Sequence, residues 1–359
     1  MTPLEVALRV TGHGKIPPFL RLFFLFIQQS KRPLSHSQFT PPWFLRHRHL
    51  QTILNSVGPR KLKANRIIRE LENTRQLVLE AGDGVRLFAE YDASHSDRKR
   101  LAVLFHGWEG SSSSAYVVTT ARTLLDAGYS VLRVNFRDHG PSHHFNRELF
   151  NATMTTEVSN AIGEFLRLEP HGEVYLGGFS LGGNFALRIA ADSAAALNLR
   201  AVVAISPPID PQHATAVTGS SLYHPYFFRK WRKSLITKLA LYPELGYADA
   251  LKAARSLDEL VDFFVPHHTP AQTPAEYYRL YGMAGDRLAA LSIPGLLVTA
   301  EDDPIIPVED LDKLNVPKSL EIEVHRHGGH CGFITSLKGD SWAESRILRF
   351  FEQCNPYNS

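Results

Sequence analysis

A five-residue turn, Gly178-Phe-Ser-Leu-Gly182, constrains the fold of this chain more than any other sequence feature. The apolar run before it, 173–177, predicts a short buried strand, and the run after it, 184–191, consists mostly of good helix formers. A sharp turn between a strand and a helix needs small residues on both sides, and it exposes its central hydroxyl beside free helix N–H groups. We therefore predict that Ser180 is a nucleophile; the alternative is an ordinary glycine-rich turn.

Composition describes one large globular chain with nearly balanced charge. The 359 residues are 44% hydrophobic, which is enough for one large core or two smaller ones. Lys and Arg number 39 against 36 Asp and Glu, a net charge of +3, so we predict no nucleic-acid partner. The two cysteines, Cys331 and Cys354, form no disulfide framework and fit a reducing compartment.

The N-terminal residues 1–38 are interpreted as an extension to a main domain that spans 39–359. Their apolar run, Phe19–Ile27, is interrupted by Arg21 and is far shorter than the roughly 20 apolar residues of a membrane-spanning helix. Preceding prolines and the lack of a small-residue cleavage site argue against a secretory signal. We expect a cytoplasmic protein whose N-terminal run packs or is disordered; non-spanning membrane contact is the alternative.

Strand and helix patterns alternate through most of the chain. Strands are predicted at 76–80, 85–91, 101–105, 129–136, 173–177, 199–205, 294–299 and 320–324, and helices at 115–127, 153–168, 184–191, 308–314 and 341–353. The first two strands flank Gly82-Asp-Gly84, which is typical of a β-hairpin. This alternation predicts an α/β fold with a mostly parallel sheet between helices. Residues 211–289 break the alternation and are interpreted as a helical cap or lid.

Two polar segments have a functional and a structural interpretation. His47 and His49 could bind a metal, but no carboxylate or cysteine is near in sequence, so we favour a surface loop. The basic run 227–233 could contact phosphate headgroups or nucleic acid. For this run we favour a solvated helix face with buried aromatic side chains.

A nucleophilic serine needs a base within about 2.6–3.2 Å and a third group that orients the base. Candidates follow two later strands: 301–304 reads Glu-Asp-Asp-Pro, and 327–330 reads His-Gly-Gly-His. The carboxyl ends of parallel strands share one sheet edge with Ser180, where open α/β sheets place their sites. The order Ser, Asp, His is that of the α/β-hydrolases.

From about residue 40 onward, the chain resembles the YheT-like branch of the α/β-hydrolases, relatives of the ABHD-type esterases and lipases. The resemblance is carried by 42–52, 106–110, 135–137, 178–182, 302–304 and 328–333. One departure is Arg137-Asp-His-Gly140, where relatives often carry Arg-Gly, and it bears on the local loop shape. Another is the short N-terminal apolar run, where eukaryotic relatives often carry a membrane anchor.

The resemblance implies Ser180 as nucleophile, His330 as general base and Asp303 as the residue that orients it. Asp302 is the rival for the last role, and Asp210 is a lesser one. Asp303 is favoured because the acid of this superfamily usually lies three residues past a small residue that ends the strand, here Ala300.

His330 is preferred to His325 and His327 because it follows Gly328-Gly329, a flexible pair that can carry the imidazole to the serine. The other two histidines are interpreted as surface or strand-end residues.

The oxyanion hole is expected to use the backbone N–H groups of Trp108 and Leu181. Gly107 and Gly110 would let the backbone approach the substrate, and His106 is interpreted as a buried brace for this loop. We expect a serine hydrolase of carboxylic esters with an apolar acyl group, acting through an acyl-enzyme without a cofactor or metal. The alternatives are a catalytically silent hydrolase fold that binds lipid or a partner, and an amide or thioester hydrolase.

Overall fold

One eight-stranded sheet organises the part of the chain that this computed structural model describes, residues 39–94, 96 and 99–355. The spatial order is β1-β2-β4-β3-β5-β6-β7-β8. The strands are β1 (Arg75–Glu80), β2 (Arg86–Asp92), β3 (Arg100–Phe105), β4 (Ser130–Val134), β5 (Glu173–Phe179), β6 (Leu199–Ile205), β7 (Gly295–Ala300) and β8 (Leu320–His325). Only β2 runs antiparallel to its neighbours β1 and β4, which confirms the prediction of a mostly parallel α/β sheet.

Helices connect the strands and also precede the sheet. They are α1 (Arg48–Leu54), α2 (Pro59–Glu70), α3 (Ala115–Asp126), α4 (Thr155–Leu168), α5 (Leu181–Ser193), α6 (Pro211–Gly219), α7 (His224–Leu241), α8 (Ala248–Ala253), α9 (Leu257–His268), α10 (Pro274–Tyr281) and α11 (Trp342–Gln353). Short 3-10 helices lie at Trp43–Leu45, Pro243–Leu245 and Val308–Lys313. Helices α6 to α10 all lie between β6 and β7, and we call them the cap.

The sheet is buried on both faces because alternate residues of its strands pack into two different cores. In β3, Leu101, Val103 and Phe105 belong to the core that α4 and α5 cover. Ala102 and Leu104 face the other core, which α3 and α11 cover. A helix layer on each face is the arrangement that a continuously apolar parallel strand requires.

Two sequence interpretations change. The segment predicted to be a surface loop around His47 and His49 contains helix α1, and the His49 Nδ1 atom lies 2.8 Å from the Tyr223 hydroxyl oxygen. The sequence alone missed this helix because its apolar residues are too few to show a helical period.

His325 lies at the end of β8, as expected, but it is buried and its Nδ1 accepts the Phe39 N–H, so it is not a surface residue.

The predicted N-terminal extension, including the run 19–27, lies outside the described residues. The described residues belong to one unit that spans 38–359. None of their helices has the length and apolar character needed to cross a bilayer.

The turn after β5 depends on two glycines, Gly178 and Gly182, that pack directly against backbone atoms of other residues. A Cβ on Gly178 would lie 2.1 Å from the Gly182 carbonyl oxygen. A Cβ on Gly182 would lie 2.4 Å from the His106 carbonyl oxygen and 2.6 Å from that of Phe105. Since backbone atoms cannot rotate away as side chains do, neither position accepts a larger residue without moving the strands.

We expect Gly182→Ala to lower the free energy of unfolding by about 2 kcal/mol, because the new methyl group overpacks β3 against α5. Urea denaturation of the purified variant measures the change. Gly163→Ala is the matched control: this glycine lies inside α4, and its nearest neighbour would be a Leu197 methyl at 3.8 Å. That substitution should stabilise the protein by about 0.5–1 kcal/mol through helix propensity. Equal effects of the two substitutions would contradict this account of the turn.

Candidate active site

Ser180 occupies the sharp turn between β5 and α5, in the middle of the sheet. Its backbone has φ 53° and ψ −123°, a conformation that L residues rarely adopt. Its N–H donates to the Ile205 carbonyl at the end of β6, 2.8 Å away, which fixes the turn to the neighbouring strand. A strained turn that is held on several sides is typical of a functional position.

His330 and Asp303 lie together at the carboxyl ends of β8 and β7. The His330 Nδ1 atom is 2.9 Å from Asp303 Oδ2, and the Asp303 side chain is fully buried. The other carboxylate oxygen of Asp303 accepts the N–H groups of Ile305 and Ile306 at 2.8 and 2.9 Å. Three donors therefore hold this carboxylate in one orientation toward the imidazole.

The two rival acids have other partners. Asp302 Oδ1 accepts the Gly329 N–H at 2.9 Å, and its second oxygen is 3.6 Å from His327 Nδ1. Asp210 caps the N-terminus of α6 and pairs with Lys313. The adjacent aspartates thus divide their contacts: Asp303 contacts the imidazole of His330, and Asp302 contacts the loop that carries it.

The loop of His330 is also held from α1, by residues that our sequence analysis did not single out. The His330 N–H donates to Thr52 Oγ1 at 2.9 Å, and this hydroxyl donates to the Arg48 carbonyl at 2.8 Å. Buried Gln51 donates to the Leu45 and Ile334 carbonyls at 2.7 and 3.1 Å and accepts the Ile334 N–H at 2.6 Å. Both residues fall within the 42–52 stretch of the family resemblance, the one signal that could have identified them.

Cys331 adjoins the free nitrogen of the imidazole. Its Sγ atom is 3.8 Å from His330 Nε2 and 3.5 Å from the Ile205 carbonyl oxygen, which also accepts the Ser180 N–H. Within the described residues, the Ser180 hydroxyl makes no hydrogen bond to Nε2. Contacts between nucleophile and base are often long in ligand-free enzymes and shorten when substrate binds. Cys331 is a further residue that our sequence analysis did not place in the site.

The charge state of His330 is set by opposing effects. Burial disfavours the imidazolium, but the Asp303 carboxylate, with a smaller contribution from Cys331, outweighs it and raises the pKa of His330 well above 6.5. The imidazole is therefore a stronger base than a free histidine and is neutral only at higher pH.

The loop after β3 approaches the serine closely. A Cβ on Gly107 would lie 3.2 Å from the Ser180 Cβ. His106 braces this loop, as expected: its Nδ1 lies 2.7 Å from the Gly107 carbonyl oxygen, and its Nε2 accepts the Phe136 N–H at 3.2 Å. Among the described residues, the N–H groups of Trp108 and Leu181 have no protein acceptor. Both amides are therefore free to bind a substrate oxygen.

A cavity of about 980 Å³ lies beneath the cap and includes Ser180 and His330 in its lining. Its wall includes a cluster of aromatic rings: the Trp108 ring stacks on Phe227 and meets Trp231 edge-on, each with ring centroids 5.5 Å apart. Glu109 also lines the cavity, and burial raises the pKa of its carboxyl group to about 7.

Among the described residues, no three His, Cys, Asp or Glu side chains cluster in a way that could hold a metal ion.

The loop that departs from the family pattern connects the sheet to the cap. Asp138 has φ 58°, in the left-handed region that glycine adopts freely and other residues rarely adopt. Its carboxylate accepts from Lys238 Nζ of α7 at 2.7 Å and from the Phe150 N–H at 2.9 Å. The basic run 227–233 lies on α7 with Arg229, Lys230 and Lys233 exposed and its aromatic rings partly buried. This is the helix face that the sequence analysis describes, and its exposed charges are accessible to a ligand or partner.

Comparison with solved structures shows the same fold. An esterase, Pf2001 of Pyrococcus furiosus, is 18% identical with a TM-score of 0.54, and the match covers 79% of this chain and 94% of that chain. The acylaminoacyl peptidase of Pyrococcus horikoshii is 17% identical with a TM-score of 0.54, covering 80% of this chain and 43% of that chain.

Sequence comparison identifies the family. The protein named "Putative esterase YheT" of Escherichia coli (strain K12) is 27% identical over 324 residues, which are 87% of this chain and 92% of that protein. An "Abhydrolase domain-containing protein" of Dictyostelium discoideum is 23% identical over 327 residues, 87% of this chain and 80% of the relative. The sequence profile described as "Alpha/beta hydrolase family" matches residues 102–337, which include the serine turn, both aspartates and the Gly-Gly-His loop. The chain therefore belongs to the α/β-hydrolase family, in its YheT-like branch.

Proposed function

We propose that this α/β-hydrolase cleaves carboxylic esters through an acyl-enzyme formed on Ser180. The observation that carries the proposal is the 2.9 Å contact between His330 and Asp303, on the cavity that also contains the strained serine turn. A buried carboxylate that orients an imidazole beside a serine has a clear chemical use in nucleophilic catalysis. A protein that only bound lipid would need none of these three side chains in this arrangement.

In the proposed reaction, His330 Nε2 takes the proton from the Ser180 hydroxyl as the oxygen attacks the ester carbonyl. The N–H groups of Trp108 and Leu181 bind the negative oxygen of the tetrahedral intermediate. Protonated His330 then gives its proton to the departing alcohol. Water attacks the acyl-enzyme by the same route and releases the acid, and Asp303 keeps Nε2 directed at the reacting atoms throughout.

The cavity supports a substrate with an apolar acyl group. The rings of Trp108, Phe227 and Trp231 in its wall offer dispersion contacts to an apolar acyl chain. The names of the Escherichia coli and Pyrococcus furiosus relatives favour an ester bond. The Pyrococcus horikoshii peptidase shares the fold, so the test of the proposal should compare amide substrates with esters.

A fluorophosphonate probe tests the proposal directly, because it labels only serines that are activated as nucleophiles. We expect labelling of the intact protein, loss of labelling in Ser180→Ala, and unchanged labelling in Ser220→Ala, an exposed serine of the cap. Turnover of a p-nitrophenyl ester series should exceed that of matched p-nitroanilides. An unlabelled, folded protein would support the silent binding fold instead.

The two aspartates give a paired prediction. Asp303→Asn should lower kcat by about 10³–10⁴-fold, because an amide cannot stabilise the imidazolium or hold the required tautomer. Asp302→Asn should lower kcat less than about tenfold, since an Asn side-chain oxygen can still accept the Gly329 N–H. Steady-state kinetics with a soluble ester measure both changes. A larger loss in Asp302→Asn would reverse the proposed roles.

The raised pKa of His330 predicts the pH dependence of the reaction. Since only neutral imidazole accepts the serine proton, kcat/KM should fall as pH drops through a midpoint above 6.5. NMR titration of His330 in Ser180→Ala should give the same midpoint. Asp303→Asn should move that NMR midpoint downward, because the carboxylate is the main group that raises it. A midpoint unaffected by Asp303 would contradict this electrostatic account.

A further inference from the structure

Exposed apolar side chains surround the mouth of the cavity. Ile53, Val57, Leu222 and Tyr226 all line the cavity, yet their exposed fractions are 46%, 48%, 61% and 46%. The first two belong to α1 and the loop after it, and the other two to the loop before α7 and its first turn. We call these four residues the rim. Large apolar side chains that are half exposed around one opening form a patch of the kind that marks an interaction surface.

Helix α7 and the segment 39–69, which contains α1, α2 and the loop between them, are strongly basic, although the whole chain is nearly neutral. Residues 39–69 contain no Asp or Glu, and neither does α7. The basic residues in these two stretches are Arg46, Arg48, Arg60, Lys61, Lys63, Arg66, Arg69, Arg229, Lys230, Arg232, Lys233 and Lys238. Against 39 basic and 36 acidic residues overall, this is a marked separation of charge.

Some of these basic side chains are buried or paired within the protein, whereas the lysines at the cavity are accessible to solvent. Arg60 and Lys238 are buried, Lys63 pairs with Asp340, and Arg66 pairs with Glu70. Three lysines line the cavity itself: Lys61, Lys230 and Lys233. Lys230 and Lys233 are exposed and Lys61 is half-buried, so positive charge lies directly beside the apolar rim.

We propose that this mouth docks on a lipid surface that carries anionic headgroups. Apolar side chains that enter the headgroup region, flanked by lysines that contact lipid phosphates, are the combination that holds proteins at a membrane interface. A nucleic acid would use the positive charge but not the apolar rim. A protein partner would not need the rim to lie on a cavity of about 980 Å³. Docking would place the cavity opening against the layer that contains lipid esters, and only this last step rests on the proposed function.

Vesicle co-sedimentation of the full chain tests the proposal without hydrolysis, in the Ser180→Ala background. We expect binding to vesicles of phosphatidylcholine mixed with phosphatidylglycerol, and much weaker binding to phosphatidylcholine alone. Lys61→Gln/Lys233→Gln should weaken binding to the mixed vesicles by about 25-fold, because each basic side chain near an anionic surface contributes about fivefold. The matched control is Arg200→Gln/Lys318→Gln, which removes the same charge from exposed positions at the opposite, amino-terminal ends of β6 and β8.

The apolar contribution has its own pair of variants. Leu222→Asp should weaken binding at least tenfold, whereas Leu168→Asp should leave it unchanged; Leu168 is 54% exposed and ends α4, ahead of the amino-terminal end of β5. Thermal unfolding verifies that each variant is folded. If the folded Lys61→Gln/Lys233→Gln and Leu222→Asp variants bind the mixed vesicles as tightly as the wild-type protein, the proposal is overturned. Any binding would then be assigned to another region, such as residues 1–37. Equal binding to neutral and anionic vesicles would overturn it as well. Because binding is scored without turnover, failure here is distinguishable from failure of the esterase proposal.

Discussion

The close backbone contact between the Ser180 turn and the end of β3 determines how the rest of the site is arranged. Gly182 has no side chain, so α5 can start against the carbonyl groups of Phe105 and His106. That contact brings the loop after β3 close to the serine turn, as the 3.2 Å between a Cβ on Gly107 and the Ser180 Cβ illustrates. The two segments belong to different strand–helix connections, and the missing side chains of Gly107 and Gly182 let them approach. The oxyanion hole that we propose at Trp108 and Leu181 would be a consequence of how tightly these two neighbouring strand ends pack.

The histidine side of the site is built differently, from loops that need external support. The Gly-Gly pair before His330 gives the backbone freedom, and the fold then removes that freedom with hydrogen bonds from Asp302 and Thr52. Asp303 fixes the ring itself. The adjacent residues Asp302 and Asp303 can hold both parts of the loop because successive side chains after a strand point in different directions. Asp302 points toward the loop backbone and Asp303 toward the imidazole. Substituting either should disturb the site, but only Asp303 contacts the imidazole that we propose as the general base.

What could be predicted from the sequence was local or followed from sheet topology. Ser180, Asp303 and His330 follow separate strands, and a parallel sheet brings such strand ends to one edge, so the order of motifs predicted that they share one site. The structure does place His330 and Asp303 in contact. Helix α1, Gln51 and Thr52 escaped this reasoning because their role lies in contacts with residues about 280 positions away, as the pair Thr52–His330 illustrates. The proximity of Cys331 to the imidazole depends on its left-handed backbone, φ 58°, which residue type alone does not reveal. The lining of the cavity could likewise not be predicted from the sequence, because its wall combines rings from the loop after β3 and from the cap.

The attachment of the cap bears on how a substrate reaches this cavity. Lys238 of α7 is fully buried, and it donates to the Asp138 carboxylate and to the carbonyl groups of His143 and Asn146. Lifting α7 would separate this ion pair, and losing one partner of a buried pair typically costs about 3–5 kcal/mol. Tyr242, which follows α7, also bonds to the His144 carbonyl at 2.8 Å. A lid that opened at α7 would have to break all of these contacts at once. The anchored helix therefore favours a cap that stays fixed at α7 over a lid that swings there.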